Sequence, residues 1–400
     1  MRRTLAAFSY RDFRVLWLGA FTSTVGTWMQ KVAQSWLVFE LTKSSLYLGL
    51  DDFLAQLPIL LFTMIGGVMA DRHDRRRTLI GSQYVQMACA FTLAALVFSG
   101  RVVVWHILAL SFAAGSAQAF GGPAYQSLVP SLVARKDLPN AIALNSIQFN
   151  LARAVGPVLA GAALAAWGTA ACFTLNGLSF LVVIVALMSL GVRHIPPATR
   201  GSVLAELRGG LSYTRGEPSI IALTALASIT TFLSAPLLTL LPVFASEVIG
   251  EGIGAYSRMM AFHGVGAVAG ALIVAWLGKF RHMGRTLLIV QLAMGGVLAG
   301  FAASRNLWLS SGLLLLAGGG LMVVFSLSAS LIQLLVPDRL RGRVVSIYMV
   351  AFRGGMPLGS LASGYLATLI GAQTVIAING VLLVIVALYF LARSPEVRHA

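Results

Sequence analysis

The sequence predicts an all-α integral membrane protein with twelve transmembrane helices in two six-helix bundles, and three observations carry that prediction. Hydrophobic residues make up 58% of the chain and charged residues 10%, with a mean hydropathy of +0.85; soluble domains carry about 25% charged residues. Twelve apolar runs reach membrane-spanning length, which for a helix is about 20 residues. A polar stretch, 192–218, divides six runs from six and sets the expected domains at 1–191, 192–218 and 219–400.

Run 1, at 15–39, is entered through Phe13-Arg14-Val15-Leu16-Trp17-Leu18-Gly19 and left through Gln34-Ser35-Trp36-Leu37-Val38-Phe39-Glu40-Leu41-Thr42. Run 2, at 45–70, ends in Gly66-Gly67 and a cationic loop, Asp71-Arg72-His73-Asp74-Arg75-Arg76-Arg77. Runs 3 and 4 lie at 78–99 and 102–128, the fourth closing with Gln126-Ser127-Leu128-Val129-Pro130. Run 5, at 141–166, opens with Asn140-Ala141-Ile142-Ala143-Leu144-Asn145 and carries Arg153, Gly156, Pro157 and Gly161; run 6 lies at 170–191. In the dividing stretch, Leu204, Leu207 and Leu211 with Arg208 and Arg215 between them predict a short amphipathic helix on the membrane surface. The second set lies at 219–244, 255–277, 286–303, 307–335, 344–369 and 373–392.

Charge distribution orients the helices. Of the 29 Lys and Arg, only Lys43, Arg101, Arg258 and Arg305 fall in outside segments and Lys31, Arg153 and Arg353 within helices; the rest collect in inside segments. That asymmetry predicts a multi-pass protein of the bacterial inner membrane with both termini cytoplasmic. It also explains the net charge of +16 as topology rather than as a nucleic-acid footprint. Cys89 and Cys172 each sit in an apolar run without ligand spacing, which argues against a disulfide or zinc site. No Walker-type phosphate loop is present, so ATP is not expected as a cofactor.

The halves repeat. Gln126 to Pro130 recurs as Gln333-Leu334-Leu335-Val336-Pro337, Arg153 and Pro157 recur as Arg353 and Pro357, and Gly66 recurs as Gly270, at offsets of about 200 residues. Such parallel repeats imply two bundles facing each other across a central cavity.

The loop after run 2, together with the run 1 and run 5 openings, Gly156-Pro157 with Gly161, and Pro337-Asp338-Arg339-Leu340-Arg341-Gly342-Arg343, resembles the major facilitator superfamily. Within it, the likeness is to the branch of enterobactin and multidrug exporters, from about residue 10 to 390. Gly67, Asp71, Arg72, Arg75 and Arg76 match its signature loop, with Asp74 where the family usually has Gly. Gly156 and Pro157 resemble the antiporter motif, while the fourth run lacks the Arg common in drug and proton antiporters. The resemblance implies a non-enzymatic secondary exporter, a monomer, coupled to the proton gradient without a bound cofactor. Its substrates would be amphiphilic drugs or toxic metabolites. The alternatives are an anionic natural product such as a siderophore or, from another class, a lipid scramblase or membrane receptor.

Polar residues that the bilayer penalises are the site candidates. Lys31 lies eleven residues before the turn at Thr42, and Asp51 and Asp52 lie nine and ten after it, so the three reach a similar depth. Gln30, Lys31 and Gln34 share one helix face; Asp52 stacks over Gln56 and Thr63, which favours Asp52 as the coupling carboxylate. The reading against it is a static ion pair. Arg153 and Arg353 suit an anionic group on a substrate, or else brace carbonyls freed by Pro157 and Pro357. His263 is either a proton relay or a packed side chain. Phe149, Phe232 and Met349 suit bulky apolar substrates, or simply the core. Gly67, Gly161 and Gly364 are expected to let helices approach closely. Asp71 is expected to be held by a nearby Arg or by the start of run 11.

Overall fold

The computed structural model describes residues 5–191, 211–278, 280–394 and 398, with the side chains of Met64, Val68, Ala70, Asp71, Arg72, Asp338, Arg339, Arg341 and Gly342 outside the description. The predicted surface helix around Leu204, Leu207 and Arg208 lies outside the described residues, as does the Asp71 side chain and with it the expected partnership. Among the described residues there is no strand.

Helices follow the apolar runs and extend beyond them. They are α1 (Arg11–Thr42), α2 (Ser45–Arg72), α3 (Arg75–Phe98), α4 (Val104–Leu128), α5 (138–167) and α6 (169–188). Then come α7 (Pro218–Val248), α8 (Gly252–Leu277), α9 (Met283–Ala303), α10 (Leu307–Leu335), α11 (Asp338–Ile370) and α12 (Ala372–Arg393). By length and hydropathy alone, nine described stretches qualify as spans, one of them the continuous Arg135–Met188. That stretch divides at Gly168, whose φ of 77° is open to glycine. Gly156 before it meets Trp28, and Asn176 and Ser179 after it meet Gly26, so the chain turns back along one level of α1. Helices α1 and α4 complete the twelve. Arg11, Asp12, Arg14, Lys31 and Glu40 in the one, and His106, Gln118 and several Ser and Gly in the other, dilute their hydropathy.

α7 is the least regular helix. Pro236 and Pro242 remove two backbone donors, and the helix proceeds as Pro218–Ser234, short turns at Pro236–Thr239 and Leu241–Val243, and a π-helical end at Phe244–Val248.

The chain forms two compact units, Met1–Lys43 with Leu54–Arg200, and Ser44–Phe53 with Gly201–Ala400. Thus α2 begins in the second unit and ends in the first. Its first turns pack on α11, where a Cβ added at Gly364 would lie 2.7 Å from the Ser45 carbonyl oxygen and 3.0 Å from Gly49 Cα.

Equivalent glycines organise each unit. In the first, Gly66 of α2 sits against Ala119 and Phe120 of α4, and Gly115 of α4 against Ala55 of α2. In the second, Gly270 of α8 sits against Gly319 of α10, and Gly318 of α10 against His263 and Ala267 of α8. Likewise Gly156 of α5 packs on α1, and Gly355 and Gly359 of α11 pack on Ser228 and Phe232 of α7. The repeat read in the sequence is therefore also a repeat in packing. Small residues do this in membranes because no hydrophobic force draws helices together and close backbone approach must.

At the basic end of the first unit the 3-10 turn Ala6–Ser9 is tied to α5. Ala7 N donates to Asn140 Oδ1 at 2.9 Å, Tyr10 Oη to Asp137 Oδ2 at 2.8 Å, and Trp17 Nε1 to the Leu144 carbonyl at 2.9 Å. The bond to Asp137 holds the Tyr10 phenol above its ordinary pKa. Each unit has its own apolar core, around Phe13, Leu79, Leu128, Leu144 and Phe180 in the first, and around Leu223, Leu287, Leu331, Val344 and Tyr348 in the second.

Candidate substrate and coupling site

In the first unit the polar candidates converge on Trp28, a residue the sequence analysis did not single out. Arg153 of α5 places its guanidinium carbon 5.5 Å from the Trp28 ring centroid, and Lys31 of α1 places Nζ 5.7 Å from it. Phe149, one turn before Arg153, meets the same indole edge-on at 6.2 Å. The helical period produces this grouping, since Trp28 and Lys31 are three apart on α1 and Phe149 and Arg153 four apart on α5. Gly156 makes it possible, because a Cβ there would lie 2.5 Å from Trp28 Cβ and 3.0 Å from the Val25 carbonyl oxygen. Both cations gain from the ring's negative face, Lys31 and Phe149 are exposed and Arg153 is half-buried. The surface offers an apolar wall and two positive charges together.

A hydrogen-bonded row runs beside it. Asn176 of α6 donates to Gln30 Oε1 at 2.6 Å, Gln30 Nε2 contacts Gln34 Oε1 at 3.4 Å, and Gln34 donates to Ser111 Oγ of α4 at 2.9 Å. Buried Gln148 of α5 donates to Thr24 Oγ1 at 2.9 Å. Gln30 and Gln34 were expected on one face, and they are. Asn176 and Gln148 were missed, although the cost of polar groups in lipid that drew attention to the charges applies to them too. Gln56 is half-buried in α2, and the Thr63 hydroxyl donates to the Ile59 carbonyl of its own helix.

In the second unit Asp52 is half-buried and accepts a hydrogen bond from Ser360 Oγ of α11 at 2.7 Å. Thr239 Oγ1 of α7 lies 2.9 Å from the same Ser360 Oγ. Asp51, rotated away from it, is buried. Lys31 and the two aspartates fall in different units. Arg353 is exposed and makes no ion pair or hydrogen bond among the described residues. Phe232 is exposed on α7, and Met349 packs against the apolar core of the unit. His263 is buried where α8 meets α10.

The signature loop is held through its arginines. Arg75 donates to the Ser127 carbonyl at the end of α4 at 3.0 Å; Arg76 donates to the Leu190 carbonyl at 3.1 Å and to that of Met188 at the end of α6. Cations at helix C-termini satisfy orphan carbonyls and oppose the negative end of the macrodipole. Of the adjacent glycines, Gly66 makes the close approach; a Cβ at Gly67 would meet nothing within 4 Å. Gly364 is at a close contact as expected, and Gly161 is half-buried.

Comparison with known proteins agrees with this architecture. The chain is 23% identical to the macrolide efflux protein A of Streptococcus pyogenes, covering 94% of each chain. It is 24% identical to the staphyloferrin A transporter of Staphylococcus aureus, covering 95% of this chain and 96% of that protein. To the enterobactin exporter of Escherichia coli it is 25% identical, covering 97% and 92%. Among solved structures, a bacterial homologue of the human lysosomal transporter Spinster superposes with a TM-score of 0.77 at 14% identity, covering 98% of this chain and 99% of that one. The family described as transmembrane secretion effector matches residues 2–399. With twelve helices, a parallel repeat and a match over nearly its whole length, the chain belongs to that family of the major facilitator superfamily, whose members are transporters and not enzymes.

Proposed function

We propose that this multi-pass membrane protein is a secondary active exporter of amphiphilic small molecules, working as a monomer by alternating access and proton antiport. Its place is the bacterial inner membrane, with both termini cytoplasmic. The observation that carries the reading is the Trp28 cluster, where an aromatic wall of Trp28 and Phe149 stands beside Lys31 and Arg153 on the surface of a membrane-embedded helix pair. Aromatic and flexible apolar groups accommodate varied bodies, and charge inside a membrane protein is retained for function. Asp52 is the coupling carboxylate, loading a proton from outside and releasing it on the cytoplasmic side as substrate arrives.

A second reading, export of an anionic natural product, is favoured by Arg353, an exposed guanidinium within α11 that has no bond among the described residues. The staphyloferrin A transporter and the enterobactin exporter among the relatives support it; the macrolide efflux protein supports the first reading.

The test is export in reconstituted vesicles under an imposed pH gradient, with a panel of cationic, neutral and acidic amphiphiles. Asp52→Asn keeps the shape but cannot ionise, so it is expected to lose uphill export and keep downhill equilibration. If Asp52→Asn drives export like the unmodified protein while Asp51→Asn does not, the other carboxylate couples. Lipid flipping without export of any amphiphile would point to a scramblase instead.

A further inference from the structure

We propose that Ser360 and Thr239 form a reversible hydrogen-bond relay that lets Asp52 exist in both charge states and passes its protonation to the break in α7. The proposal rests on Asp52 being the coupling carboxylate and adds the positioning residues that such a carboxylate needs.

Proton counting carries the argument. Ser360 Oγ is fully buried and has one hydrogen and two lone pairs. It donates that hydrogen to Asp52 Oδ2 at 2.7 Å, a length typical of hydroxyl-to-carboxylate bonds. The 2.9 Å contact between Ser360 Oγ and Thr239 Oγ1 then has Thr239 as the donor, because Ser360 has no second hydrogen. The alternative acceptor for Thr239 is the Ala235 carbonyl of its own helix, at 3.5 Å. With Asp52 ionised, all bonds therefore point one way, from Thr239 to Ser360 to the carboxylate.

When Asp52 takes up a proton it becomes a donor. Asp52 then donates to Ser360, Ser360 to Thr239, and Thr239 to the Ala235 carbonyl. Each hydroxyl keeps its own proton and only rotates; the one bond formed is the carboxyl O–H. Every oxygen in the row has a partner in both states, which matters where an unsatisfied polar group is costly. Ala235 immediately precedes Pro236, and Thr239 ends the isolated turn Pro236–Thr239. The same carbonyl already accepts from Leu238 N at 3.1 Å. Protonation thus adds a bond inside the turn where α7 is broken, and ionisation redirects the Thr239 hydrogen to α11.

The titratable or charged groups that flank these residues along their own helices are Tyr47 and Asp51 of α2, Arg353 and Tyr365 of α11, and Glu247 of α7; Lys31 of α1 is the cation that the sequence sets level with Asp52. None of them bonds to Ser360 Oγ or Thr239 Oγ1 among the described residues.

The experiment needs no substrate. In infrared difference spectra of the full chain in lipid, stepped between about pH 5 and 9, the C=O stretch of protonated Asp52 is the band that Asp52→Asn removes. The relay predicts that this band shifts to higher wavenumber in Ser360→Ala, because the carboxyl loses the acceptor of its O–H, and shifts less in Thr239→Val. Thr239→Ser, which keeps the hydroxyl, is expected to return it to the original position; this variant also keeps the test decisive if Ser360→Ala does not fold. A band that is present but unmoved by both Ser360→Ala and Thr239→Val overturns the relay and leaves Asp52 as the coupling group. No Asp52-dependent band across the range overturns the coupling role and the relay together.

Discussion

Asp74 accepts from the backbone N–H of Arg76 at 2.9 Å and so caps the start of α3, at the position where the superfamily's loop usually has Gly. Its carboxylate also accepts from Arg77 N at 3.3 Å. A negative cap at a helix N-terminus satisfies orphan donors and suits the macrodipole. The accompanying ion pair with the Arg77 side chain, 3.8 Å and exposed, adds little. Asp74→Ala should therefore cost about 1 kcal/mol and Asp74→Gly only a few tenths. Melting of the purified protein in detergent checks this; equal melting of all three forms would mean that the cap contributes nothing.

The glycine pair at the end of α2 gives a sharper contrast. Gly66 faces α4 with Phe120 Cα 3.0 Å from where a Cβ would lie, whereas Gly67 faces open space. Forcing apart a packed helix pair costs about 1–3 kcal/mol. Gly66→Ala is expected to lower the melting temperature and slow transport, and Gly67→Ala to leave both near their starting values. The reverse order would place the close contact at the wrong glycine.

Much of this was legible in the sequence. The twelve helices follow from apolar run length, and the correspondence of Gly66 with Gly270 follows from the repeat. The grouping of Phe149 with Arg153 follows from helical spacing. Trp28 was not legible as a centre, because an indole in an apolar run looks like any other membrane-facing aromatic until a glycine on α5 brings Arg153 over it. Ser360 was invisible for a similar reason. A serine between glycines on α11 signals close packing, and only the packing of the first turns of α2 on α11 makes it a partner of Asp52. Polar residues without charge carry weak sequence signals, yet they supply most of the bonds in the row from Asn176 to Ser111.

Trp28 should be needed whatever the substrate. Its ring faces two cations, and each such interaction contributes about 0.5–2 kcal/mol depending on desolvation. Trp28→Ala is expected to weaken export of every transported amphiphile by about tenfold or more, which corresponds to 1.4 kcal/mol. Trp28→Phe keeps a ring face and should retain most of the activity. Apparent affinities measured across the panel check this, and an alanine variant with unchanged affinities would remove Trp28 from the site.

Arg353 separates the two substrate readings. It is the counterpart of Arg153 in the sequence repeat, is exposed, and makes no bond among the described residues, so its charge is available to a ligand. A guanidinium presents donors in a planar fork that matches a carboxylate, and Lys cannot reproduce that geometry. If Arg353 recognises an acidic group, Arg353→Ala should abolish export of acidic amphiphiles and spare cationic dyes, while Arg353→Lys recovers acidic export only in part. If it instead braces α11 near Pro357, every substrate should suffer alike and the melting temperature should fall with them. Comparing acidic and cationic compounds in the same vesicles distinguishes these outcomes, and a selective loss of cation export would contradict both.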